Sequence, residues 1–113
     1  MQITDKVSVV TGAASGIGRA TALELVAQRT KGIALVDLNE GPLRDLADEI
    51  NSAAGSEVAL PFAGDVTDED FRVRVFDETA RRHGTVQIVV PAAGIFRDRM
   101  AVKIDRDSGE ADI

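Results

Sequence analysis

A chain of 113 residues, 44% hydrophobic and 28% charged, is long enough for one buried core and too ordinary in composition for a disordered or collagen-like polymer. Its net charge of −6 repels nucleic-acid backbones and anionic membrane surfaces, and four Phe with no Trp or Tyr give no stacking platform for single strands, so we expect no nucleic-acid and no membrane partner. The absence of cysteine rules out disulfides, thiolate metal sites and a cysteine nucleophile; with no basic-then-apolar leader and no apolar run near ~18 residues, the expected location is cytoplasmic.

Four short apolar runs follow one another along the chain, separated by longer segments of helical period. Val7 to Val10, Ile33 to Val36, Val58 to Phe62 and Val86 to Val90 are rich in β-branched residues and nearly continuous in hydrophobicity. Such runs suit strands of a parallel sheet covered on both faces. In the first helical segment Ile17, Ala20, Leu23 and Ala27 form one apolar stripe, and Gly32 stands where a left-handed C-terminal residue is wanted. The second is predicted to run from an N-cap at Asn39, with Pro42 in its first turn, to Gly55. The third takes Thr67 as N-cap, sets Asp68, Glu69 and Asp70 at the positive end of the dipole and Arg81, Arg82 and His83 at the negative end, and stops at Gly84.

The order strand, helix, strand, helix, strand, helix, strand predicts an α/β fold. It is a doubly wound, Rossmann-type parallel sheet with helices on both faces; right-handed crossovers with a chain reversal after the third strand give the order 3-2-1-4. From Ile95 onward the periodicity breaks, and nine of the seventeen residues from Arg97 to Ile113 are charged. Residues 95–113 therefore read as a charged, irregular tail on a domain of residues 1–94. The fourth strand lies on an edge, where its apolar residues invite homo-oligomerisation or edge-strand association.

Directly after the first strand comes Thr11-Gly12-Ala13-Ala14-Ser15-Gly16-Ile17-Gly18, opening into the first helix. Gly12 can take a tight turn, Gly16 lacks the Cβ that would keep backbone from a pyrophosphate, and Gly18 allows close helix packing. Amide groups at the helix start then face an anion, so Gly12, Ser15, Gly16, Ile17 and Gly18 are candidate phosphate-binding residues. The alternative phosphate loop G-x-x-x-x-G-K-[ST] fails for want of a lysine, and the nucleophile elbow G-x-S-x-G fails because Ala13 precedes Ser15 by two.

With this loop the chain resembles the short-chain dehydrogenase/reductase family, whose phosphate loop reads T-G-x-x-x-G-x-G after the first strand. The resemblance extends from about Lys6 to Gly94, the cofactor-binding first half of a typical family member, and looks most like the reductases of 3-oxoacyl thioesters. It implies a nicotinamide dinucleotide as cofactor and an alcohol or carbonyl compound as small-molecule substrate.

Asp37 closes the second strand, 19 positions after Gly18, where a carboxylate can accept both ribose hydroxyls of the adenosine and would repel a phosphate there. Family members that use NADP(H) usually carry a basic residue at the positions of Ala13, Ala14 or Leu38; this chain does not, so NAD(H) is favoured over NADP(H). The resemblance implies contact of Asp65 and Val66 with the adenine ring, although an Asp in such a loop also reads as a turn residue. Ala93 and Gly94 complete the implied set, in a segment where Pro91-Ala92 replaces the family's usual Asn-Asn.

The family's hydride transfer uses a Tyr as acid or base, a Lys four positions later and a carbonyl-polarising Ser. There is no Tyr in the sequence, so no catalytic residue is assigned and turnover by this chain alone is not expected. His83, the only histidine, reads as a helix-dipole partner rather than a base. Asp105, Asp107, Ser108 and Glu110 do not match a calcium loop, and no metal site is assigned. Two functions follow: the cofactor-binding half of an NAD-dependent oxidoreductase, or a catalytically inactive NAD-binding or regulatory module.

Overall fold

The computed structural model describes residues 2–92. Four strands, β1 (Val7–Thr11), β2 (Gly32–Asp37), β3 (Ala59–Ala63) and β4 (Val86–Pro91), alternate with three helices, α1 (Gly16–Ala27), α2 (Glu40–Ala54) and α3 (Glu69–His83). All pairings are parallel, in the order β3-β2-β1-β4. This is the predicted doubly wound arrangement, each strand lying within a residue or two of its apolar run.

Alternate residues of β1 and β2 supply two cores, because successive side chains of a strand point to opposite faces. On one face Val10, Ile33 and Leu35 pack with Ala22 and Leu25 of α1 and with Leu43, Leu46, Ala47 and Ile50 of α2. On the other, Val9, Ala34 and Val36 meet Phe71 and Val75 of α3. Burying each such Leu, Ile or Val contributes roughly 1.5–3 kcal/mol, which explains why both faces of the central strands are apolar.

The two edges of the sheet differ. On β3, Pro61 sits opposite Leu35 of β2, a residue that cannot donate to a ladder and suits an edge. On β4 the chain is β-branched and uncharged, Val89 is 48% exposed, and Pro91 pairs with Thr11 as the last residue of the strand.

Three local expectations are corrected. The buried residues of α1 are Gly18, Ala22 and Leu25, whereas Ile17 is 61% exposed and Ala20 and Ala27 face solvent. Leu23, the fourth residue of the expected stripe, is partly buried against the core; apolar residues lie on more than one side of this helix, and the face set on the sheet is the one whose Gly18 permits close approach. Gly32 does not end α1; Gln28 caps it, Arg29 takes the left-handed conformation with φ 68°, and Gly32 begins β2. The N-cap of α3 is Asp68, whose carboxylate accepts from the Asp70 amide, and not Thr67. Thr67 is drawn away because its amide and hydroxyl both donate to Asp65 Oδ1, at 2.8 and 2.7 Å.

The ends of α2 and α3 otherwise match expectation: Asn39 precedes α2, Gly55 closes it with φ 75°, and Gly84 closes α3 with φ 112°. Asn51, near the end of α2, clips β3 in place by donating to the Ala59 carbonyl at 3.0 Å and accepting from the Ala59 amide at 2.7 Å.

Candidate cofactor site

The chain runs outward from β1 through β2 to β3, then returns to place β4 on the other side of β1. Open α/β sheets bind ligands at the carboxyl ends of their strands beside such a reversal. The glycine loop lies at this end, between β1 and α1.

Each glycine has a different physical reason for being there. Gly12 and Gly16 have φ of 69° and 56°, the left-handed region that a residue with a Cβ enters only at a cost. Space around a Cβ at Gly16 is open, with nothing within 4 Å, whereas one at Gly18 would lie 1.9 Å from the Gly12 carbonyl oxygen. Gly18 thus lets the start of α1 sit on the turn that leaves β1, and Gly16 presents bare backbone to an empty volume.

Ser15 precedes α1 in an extended conformation and forms no side-chain cap bond. The helical ladder is entered where Arg19 donates to the Ser15 carbonyl at 3.4 Å, so the amides of Gly16, Ile17 and Gly18 precede it. Such amides, at the positive end of the helix, are suited to an anion. Ile17 is exposed beside them.

The end of β2 gathers the neighbouring loops. Asp37 Oδ2 accepts from the Ala14 amide at 3.0 Å and Oδ1 from the Asn39 amide at 2.9 Å. The Val36 carbonyl accepts from Ala13, and the Asp37 carbonyl from Gly64, each at 3.0 Å. Asp37 therefore touches the loops that follow β1, β2 and β3. The Asn39 bond is an Asx turn that the two-residue spacing could have disclosed; the Ala14 bond, 23 residues away, leaves no local signal.

Asp65 takes a turn role in this structure through its bonds from Thr67. Its neighbour Val66 is half-buried against the core beneath α3. Gly64 is fixed by packing, since a Cβ there would lie 2.4 Å from the Phe71 ring. Ala93 and Gly94 fall outside the described residues, as do the tail and its acidic cluster.

His83 lies in the last turn of α3, as expected, at the opposite end of the sheet. Its ring rests on Gly32, where an added Cβ would come within 2.2 Å, and Nε2 is buried without a partner among the described residues. Burial, followed by the charge of Arg82, lowers its pKa; Lys31 acts in the same direction, and Glu57 and the Val58 backbone act against it. The neutral ring is a packing element. Among the described residues no group of His, Asp or Glu is arranged to hold a metal ion, and no helix is long and apolar enough to cross a membrane.

The model of the short chain dehydrogenase family matches residues 6–111, extending past Gly94, where the resemblance read from the sequence ends. A 3-oxoacyl-acyl-carrier-protein reductase, FabG of Thermotoga maritima, is 34% identical over 111 residues, which cover 98% of this chain and 44% of the reductase. The cis-4-hydroxycyclohexanecarboxylate dehydrogenase of Sinomonas cyclohexanicum is 43% identical over 94 residues, covering 80% of this chain and 35% of that enzyme. A short-chain dehydrogenase/reductase from Burkholderia phymatum, solved in complex with NAD, superposes with a TM-score of 0.71 at 30% identity, over 79% of this chain and 31% of that one. The chain thus spans less than half the length of these relatives. By sequence match, strand order and the glycine loop after β1, this chain belongs to the short-chain dehydrogenase family.

Proposed function

We propose that this chain binds NAD(H) and forms the cofactor-holding part of an oxidoreductase that moves hydride between the nicotinamide and an alcohol or carbonyl substrate. The observation that carries this reading is the open, left-handed backbone at Gly16 in front of α1, joined through the Ala14–Asp37 bond to a carboxylate at the end of β2. The loop fits a pyrophosphate: it offers bare amides at a helix start and no Cβ in the space above them. The carboxylate fits ribose hydroxyls.

When bound, the dinucleotide supplies the hydride donor or acceptor. The chain's own residues bind and orient. Gly12, Ser15, Gly16, Ile17 and Gly18 would hold the phosphates, and Asp37 the adenosine ribose. Val66 and the turn at Asp65 would border the adenine, and Ala93 and Gly94 complete the proposed set. NAD(H) is favoured over NADP(H) because Asp37 would repel a ribose phosphate, while Ala13, Ala14 and Leu38 offer no cation to offset it.

A second reading uses the same site, a module that binds the cofactor without turning it over. Both readings require the same binding. Calorimetric titration with NADH and NADPH tests it: NADH binds and NADPH binds at least about tenfold more weakly, on the order of the 1.4 kcal/mol expected from one repelled charge. Equal or tighter binding of NADPH would overturn the role of Asp37. Neither reading expects turnover by these 113 residues on their own; turnover detected with any alcohol or carbonyl would overturn the module reading.

A further inference from the structure

Asp37 has a second task beyond the ribose that the proposed function gives it. Its carboxylate accepts from Ala14 in the phosphate loop and from Asn39 before α2, one oxygen to each. Its backbone carbonyl accepts from Gly64, while its neighbour Val36 accepts from Ala13. Two consecutive amides of the glycine loop are thus bound to the end of β2, one by backbone and one by this side chain. Gly12 and Gly16 flank the pair in left-handed conformations, which are entropically costly to hold in a loop built from small residues.

We infer that Asp37 is a positioning residue for the phosphate loop, holding it in its anion-accepting shape before any ligand arrives. A carboxylate that accepts backbone amides makes charge-assisted bonds, stronger than those between neutral groups. Without it, Ala14 loses its acceptor and the loop samples shapes in which its amides no longer converge. Affinity for the phosphates then falls in proportion to the fraction of time the loop is competent. Asp37 acts on the phosphate end of the ligand through Ala14, a route separate from any contact with the ribose.

This inference rests on the cofactor reading for its ligand arm but not for its structural arm, and two measurements keep them distinct. Amide hydrogen exchange of the ligand-free protein, resolved by NMR, reads the clamp alone: Asp37→Ala speeds exchange at Ala14 and Asn39 while β1 amides keep their protection. Asp37→Asn, which keeps one accepting oxygen and is the gentler change, speeds exchange at only one of the two. Unchanged exchange at Ala14 in both variants overturns the clamp.

The second measurement titrates 2′,3′-dideoxy-ADP, which has the phosphates but neither ribose hydroxyl. Asp37→Ala weakens its binding by about tenfold, as expected if the loop is competent a tenth of the time. Weakened ADP binding with unchanged dideoxy-ADP binding would confine Asp37 to the ribose and overturn the inference. If the wild-type chain binds neither nucleotide, the cofactor reading fails, and the exchange result still decides whether the clamp exists.

Discussion

Gly16 and Gly32 stand at opposite ends of the sheet and omit a Cβ for opposite reasons. At Gly16 the space is open and the backbone left-handed; at Gly32 the space is filled by the His83 ring. The carboxyl end leaves backbone beside open space at Gly16, while the amino end packs its polar groups away. There the Thr30 hydroxyl donates to the Lys6 carbonyl at 2.6 Å, which leaves Ser8, 2.7 Å away, to donate to Thr30. If the open end receives the ligand proposed for it while the filled end serves packing, substitutions at the two ends should fail in different assays.

The largest expected effect on folding is at the filled end. Gly32→Ala places a methyl group against the base of the His83 ring and should cost about 2 kcal/mol, the usual range for overpacking. In a domain of this size that lowers Tm by roughly 8–16 °C. Thermal unfolding checks this, and an unchanged Tm would show that His83 simply swings aside.

A smaller effect concerns the same ring. Because the folded pKa of His83 is lowered, chiefly by burial, the unfolded chain takes up a proton first as pH falls. Stability from this group is therefore complete above about pH 6.5 and is lost as pH drops toward the lowered value. The ring is partly open to solvent, so the loss should be smaller than the cost of Gly32→Ala. Urea unfolding at neutral and mildly acidic pH reads it, and His83→Gln should flatten the difference. A variant with the wild-type slope would assign the pH dependence to other groups.

Much of the fold is legible in the sequence because strand runs, helix breakers and crossover handedness are local or generic. Val7 to Val10 and Ile33 to Val36 announce buried strands, and Gly55 and Gly84 end helices where a left-handed or otherwise unusual φ is needed. The loop at Gly12, Gly16 and Gly18 is equally plain, since its position between a strand and a helix gives it meaning.

What stayed hidden depends on contacts between distant residues. Nothing near Gly32 in the chain says that His83 will lie on it, and nothing near Ala14 says that Asp37 will accept its amide. The buried face of α1 is hidden for a related reason: with alanines on several sides, only the sheet decides that Ala22 rather than Ala20 is buried. Thr67 lost the cap of α3 to Asp68 because Asp65 competes for its hydroxyl.

If backbone at the open end receives the cofactor's phosphates, the two glycines should part company in a binding assay. ADP-ribose, which carries the pyrophosphate without the nicotinamide, is titrated by calorimetry into the wild type, Gly16→Val and Gly32→Ala below their melting temperatures. Gly16→Val should lose binding by at least about a hundredfold, since a β-branched side chain both fills the open volume and resists the left-handed conformation. Gly32→Ala should bind as the wild type does. Equal affinity of wild type and Gly16→Val for ADP-ribose would contradict the assignment of this loop as the phosphate site.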